Sequence, residues 1–230
     1  MTNLSIDDIF EKDRFCKSSF DGFDYYYYVS FLKDMDYVLR NEFIKKIKNN
    51  SVSELDRDTY LLLHNSILEF RGNVGFDKYN MIIYPDTSHN QLVRHLADFI
   101  KSFLVCHKAK TKMYEIQKTS PERIIVDEIA KNKKSDEEIN SFLDDIHKLD
   151  YFSIAKNGGP FRKYVRNFLD VEDGELMIRI KESTCDTKIL LFDDINTTGS
   201  TLREMIRKLH KYNPNLKFDI YTVIGKDGNN

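Results

Sequence analysis

Apolar positions recur at three- and four-residue steps from Phe23 to Asn49, and the pattern changes at Tyr79. Tyr27, Phe31, Met35 and Val38, then Phe43, Ile44 and Ile47, predict helix between Phe23 and Asn49. A second helix is expected from near Ser53, carrying Leu61, Leu62, Ile67 and Leu68. Ser5 with Asp7 and Asp8 behind it reads as an earlier helix start, its acids near the positive end of the dipole. Residues 1–75 are therefore expected to form a helical extension. The run Tyr25–Tyr28 invites a base-stacking role, but rings at such spacing more often pack a helix onto its neighbours.

From residue 76 to 230 the pattern alternates between short apolar runs and amphipathic stretches. Met81–Tyr84, ending at Pro85, predicts a buried strand, and Lys112–Gln117 a further one. Between them Leu92, Leu96, Phe99, Ile100 and Phe103 fall on one helical face. At the far end, Lys188–Phe192 reads as a buried strand, Asp193–Ser200 as a polar turn and Thr201–Tyr212 as a helix. Asn213–Pro214 stops that helix, and Phe218–Ile224 supplies a last strand. Strand–helix–strand units of this kind predict an α/β core with parallel pairing. The stretch 118–187 reads as a helical and flexible insertion. Helix starts are expected at Ser120–Pro121–Glu122 and, through a capping box, at Ser135–Glu138. Asn157–Gly158–Gly159–Pro160 is its most flexible-looking segment.

Composition narrows the class without choosing a function. The 230 residues are 41% apolar and 31% charged with a net charge of −2, so no global field favours nucleic acid or membrane. Cys16, Cys106 and Cys185 are odd in number and far apart, as reduced thiols would be. The acidic, polar start is unlike a signal peptide, and no apolar run approaches the roughly 20 residues of a membrane span. A cytoplasmic protein is expected.

The chemistry concentrates in Ile189–Leu202, ILLFDDINTTGSTL. An apolar strand delivers Asp193 and Asp194 to the carboxyl edge of a parallel sheet, where open α/β sheets bind ligands. Thr197, Thr198, Gly199, Ser200 and Thr201 then present backbone N–H groups and hydroxyls at a helix N-terminus, a receptor for a phosphate monoester. Gly199 can adopt positive φ and lets the backbone approach the anion. Two acids beside a phosphate would repel it. They need hydrogen-bond donors or a cation, which sugar hydroxyls and Mg²⁺ supply. Neighbouring strand residues point to opposite faces, so both acids reach one sugar only if the backbone bends where the strand ends.

This segment resembles the phosphoribosyl diphosphate motif of the type I phosphoribosyltransferases: a hydrophobic strand, two acids, two variable residues and a Thr/Gly phosphate loop. The resemblance extends over about residues 78–224, but only the motif is specific. It implies a parallel-sheet phosphoribosyltransferase-like core with helices on both faces, beside the N-terminal helical extension. It also implies that Asp193 and Asp194 hold the ribose hydroxyls and, through water, Mg²⁺, while Thr197–Thr201 holds the 5′-phosphate. For the diphosphate it points to the loop after the first core strand, Asp86, Thr87 and Ser88 with His89 and Asn90, and to a basic loop with Arg162, Lys163 and Arg166. Arg166 is the candidate that would act on the leaving group. The family's purine-salvage members carry an acid where Thr197 stands, so this chain is closer in motif to the orotate-type and competence-associated branches. Little sequence follows the last strand, so a hood over a base is expected from the N-terminal helices.

The expected activity is transfer of the 5-phosphoribosyl group from phosphoribosyl diphosphate to an unidentified nitrogenous base, with Mg²⁺ as cofactor, in nucleotide metabolism. The alternative is a module that binds phosphoribosyl diphosphate or a nucleotide without turnover. In that case residues 1–75 would recruit a protein or nucleic-acid partner. A homodimer stays open in both.

Overall fold

The computed structural model describes residues 6–11, 14–49, 54–86 and 91–225. Strand β1 (Cys16–Phe20) begins a mixed α/β fold, and it pairs antiparallel with β2 (Phe23–Ser30). Register sets Phe20 opposite Phe23, leaving Asp21 and Gly22 as a two-residue turn with φ of 49° and 87°. Positive φ at both positions matches the twist of a hairpin, and Asp-Gly is among the strongest sequences for it. The helix expected from Phe23 is therefore a strand. Its sequence, FDYYYYVS, is aromatic and β-branched, and the apparent helical spacing of Tyr27 and Phe31 gives way to that preference and to the turn. All four tyrosines are buried. The helices α1 (Tyr37–Asn49) and α2 (Arg57–Asn73) follow. Ser5 and Ser53, expected at helix starts, lie outside the described residues. In place of Ser53, Asp56 caps α2, accepting the Thr59 amide at 2.8 Å.

Beyond residue 79 the expected elements appear in order: β3 (Met81–Pro85), α3 (Gln91–Cys106), β4 (Lys112–Lys118), β8 (Ile189–Ile195), α7 (Ser200–Tyr212) and β9 (Phe218–Gly225). Between β4 and β8 come β5 (Ile125–Val126), α4 (Asp136–His147), α5 (Ile154–Asn157), β6 (Val165–Arg166), β7 (Leu169–Asp170) and α6 (Gly174–Glu182). Strand β8 is central. It pairs in parallel with β3 on one side and β9 on the other, β9 pairs in parallel with β2, and β4 lies beyond β3. Every residue of β8 is buried, as in a strand with sheet neighbours on both edges and cover on both faces.

The chain forms two compact units. The first comprises Met1–Glu115, Cys185–Thr197 and Lys217–Asn230. Its core sets Leu63, Ile67 and Phe70 of α2 and Leu92, Leu96 and Ile100 of α3 with Ile82, Leu190, Phe192 and Tyr221 of the sheet. Phe70 and Tyr221 stand 4.2 Å apart between ring centres, and the buried Tyr221 hydroxyl donates to the Ser66 carbonyl at 2.7 Å. Consecutive tyrosines of β2 divide between the sheet faces as strand geometry requires. Tyr26 and Tyr28 join this core, while the Tyr25 hydroxyl meets Thr222 at 2.9 Å.

The second unit comprises Ile116–Thr184 and Thr198–Leu216. The end of β4 pairs antiparallel with β7, and β5 with β6. The expected capping box is present at α4, with Ser135 and Glu138 reciprocally bonded. Ser120–Pro121 gives only a single 3-10 turn, Pro121–Arg123, because the Ser120 hydroxyl bonds the Glu122 carboxylate and caps no amide. Among the described residues no helix is long and apolar enough to cross a membrane.

Candidate functional site

The polar turn expected from Asp193 begins later than its composition suggests. Strand β8 carries its ladder through both acids, with Asp193 opposite Thr222 and Ile195 opposite Ile224, and Asn196 still donates to the Ile224 carbonyl at 2.8 Å. Asp193 is 6% exposed and Asp194 fully buried. Each carboxylate accepts the next amide along the chain, Asp194 N–H to Asp193 Oδ1 at 2.9 Å and Ile195 N–H to Asp194 Oδ1 at 2.6 Å. Both side chains therefore lean toward the carboxyl end of the strand. The Asp194 charge acts on Asp193, so the alternation of strand faces does not isolate the two groups.

One cation reaches this pair from α1. The Lys48 ammonium lies 2.9 Å from Asp194 Oδ1. Burial, and then the charge of Asp194, raise the Asp193 carboxyl well above the usual carboxylate range, while Lys48 pulls the other way and loses. A second negative charge is thus disfavoured here. Such a pair has use for hydroxyl donors or a divalent cation, and hard carboxylate oxygens fit Mg²⁺ bound through water. Among the described residues, no group of three metal-binding side chains encloses an ion by itself.

In the second unit, Gly199 stands at the N-cap of α7 with φ 70° and offers no side-chain cap. No acid occupies the first turn of that helix, so its amides and dipole face an anion without local competition. The preceding loop is organised by short links. Thr198 and Ser200 hydroxyls lie 2.9 Å apart, Ser200 donates to the Arg162 carbonyl at 3.0 Å, and Arg203 Nη1 donates to the Thr198 carbonyl at 2.8 Å. Thr197, Thr198, Ser200 and Thr201 are all half-buried.

The remaining candidates divide. Asp86 is buried directly after β3, and extending the register beyond Ile83 opposite Leu191 sets Pro85 and Asp86 level with the acid pair. Thr87, Ser88, His89 and Asn90 lie outside the described residues. Arg162 is tied by its main chain to Ser200, while its Nε donates to the Ile154 carbonyl at 3.2 Å. Arg166 is engaged elsewhere, with the Asp127 carboxylate at 3.2 Å and the carbonyls of Lys163 and Val165. Lys163 is exposed.

No family model matches the chain, and no curated protein does. Among solved structures it is similar to adenine phosphoribosyltransferase from Trypanosoma brucei in complex with AMP, pyrophosphate and ribose-5-phosphate. That likeness has a TM-score of 0.32 and 10% identity over 87% of this chain and 83% of the other, too low to carry an argument. The functional reading rests on the residues.

Two of those residues were not read from the sequence. Arg203 had a local signal, a cation in the first turn of α7 beside the phosphate loop. Lys48 had none, because its contact with Asp194 closes 146 residues of chain.

Proposed function

We propose that this protein binds phosphoribosyl diphosphate and transfers its 5-phosphoribosyl group to a nitrogenous base. One observation carries the reading. Two adjacent buried acids, one of them kept from ionising by burial and by its neighbour, lie near the end of a central parallel strand, and five residues after Asp194 the left-handed Gly199 opens a helix. In this reading Asp193 and Asp194 accept hydrogen bonds from the ribose hydroxyls. Amides and hydroxyls of Thr197–Thr201 receive the 5′-phosphate, a role for which an uncapped helix N-terminus is suited.

The reaction breaks the bond between the anomeric carbon and the diphosphate oxygen and forms one to the base nitrogen, whose proton passes to solvent. The protein contributes position and charge stabilisation and forms no covalent intermediate. Mg²⁺, held through water by the acid pair, would neutralise the departing diphosphate. Asp86, Thr87 and Ser88 would hold the diphosphate with Arg162. Arg166 would join them only on leaving Asp127.

A second reading, binding without turnover, draws on Lys48. An acid that already owns a lysine suits a sensor that exchanges one partner for another. Incubation with phosphoribosyl diphosphate, Mg²⁺ and a panel of bases separates the two through release of diphosphate. Release that Asp194→Asn abolishes establishes transfer. Ligand-dependent thermal stabilisation without release on any base leaves the binding module, and neither response removes both readings.

A further inference from the structure

Within the first unit, well apart from Asp193 in sequence, His64 of α2 faces His95 of α3. Their Nε2 atoms lie 2.9 Å apart, with ring centres separated by 5.1 Å. His64 is stacked on Tyr60 at 4.1 Å and lies 4.3 Å from Phe99 between ring centres, so aromatic rings flank it. Both imidazoles are half-buried, leaving one side of the pair open to solvent.

We infer that His64 and His95 form a two-histidine site for a divalent d-block cation of the zinc, copper or nickel class, bridging α2 and α3. Neutral imidazole nitrogen suits these ions, and here two such nitrogens face each other at 2.9 Å. With metal–nitrogen bonds of about 2.0–2.1 Å and tetrahedral angles, the two nitrogens would stand about 3.3 Å apart and the ring centres about 5.2 Å apart. The observed centre separation of 5.1 Å suits this arrangement and a head-on N–H···N bond alike, so the helices need not move for either occupant. A swivel of the rings that opens the nitrogen–nitrogen gap by about 0.4 Å admits the ion.

No third metal-binding side chain joins the pair among the described residues, so water completes the coordination on the open side. Asp98, three residues along α3 and exposed, is the negative charge that acts on His95 and would support it from outside the first ring of ligands. The competing occupant of the gap is a proton, in a plain hydrogen bond between one imidazole N–H and the other's lone pair. The experiment separates the two.

Metal-free protein titrated with Zn²⁺ should show a saturable rise in melting temperature of about 3–5 °C, because the ion binds the folded state. His64→Gln and His95→Gln should each weaken that response at least tenfold, whereas His107→Gln, whose ring contacts Arg71, should leave it unchanged. A second readout needs no substitution. Substoichiometric Ni²⁺ should broaden the imidazole resonances of two of the six histidines, His64 and His95, ahead of the rest. An absent zinc response, an equal response in the glutamine variants, or uniform broadening of all histidines overturns the site and leaves the hydrogen bond.

Discussion

Glu204 of one helix and the acid pair of the central strand are buried carboxylates, and they are held in opposite ways. Glu204 of α7 is 2% exposed, yet its carboxylate is saturated. Arg207 grips it with two nitrogens at 2.8 and 2.9 Å, and the Asn167 amide donates at 2.8 Å. That network pins Asn167, which turns between β6 and β7 at φ 62°. At the end of β8, by contrast, burial and mutual repulsion outweigh the lysine that approaches the acid pair. A saturated carboxylate holds a turn in place. A pair in which one carboxyl is kept from ionising has a perturbed acid to offer a ligand, and such groups cluster where function sits.

The comparison can be broken most decisively at Asp193. Asp193→Asn replaces a carboxyl that burial and Asp194 keep from ionising, and should weaken phosphoribosyl diphosphate binding about 100-fold, near 3 kcal/mol, as loss of a positioning group does. The same variant should melt at the same or a higher temperature than the parent, because functional carboxylates are retained at the expense of stability. A melting temperature several degrees lower would place Asp193 with the structural carboxylates.

Glu204→Gln should behave in the reverse sense. It leaves Arg207 and the Asn167 turn poorly matched and should lower stability by about 2 kcal/mol, measured by urea denaturation. An unchanged midpoint would mean the network is ornamental.

The smallest effect belongs to an exposed carboxylate. Burial alone would raise the Asp56 carboxyl, but the Thr59 amide and Lys46 bring it down to about 2 from 3.8. A depressed pKa stabilises the fold above the unfolded value and is lost as pH falls from about 4 through about 2. Asp56→Asn should flatten the stability profile in that window, while Asp56→Ala should cost about 1 kcal/mol at neutral pH through the lost cap. Identical acid limbs for parent and asparagine variant would remove Asp56 from the account.

The segment from β8 to α7 was legible because an apolar strand, a small-residue loop and an amphipathic helix follow one another without ambiguity. The boundary inside it was not. Asp193 and Asp194 read as turn residues by polarity, whereas the ladder to β9 carries them to Ile195. Strand β2 hides behind the helical spacing of Tyr27 and Phe31 although Asp21–Gly22 announces a hairpin, since a strand buried on both faces carries apolar residues at consecutive positions. Lys48, His64 and His95 could not be read at all. Each acquires meaning only from a partner on another element, and the sequence around each is an ordinary helix.

The central claim concerns a sugar phosphate held by its hydroxyls and its phosphate together, and calorimetric titration with ribose 5-phosphate tests it most directly. The parent protein should bind at a single site, and Gly199→Val, which forces a β-branched residue to φ 70°, should lose at least about tenfold in affinity while remaining folded. Equal affinity in the two proteins, or no binding to the parent, would contradict the account.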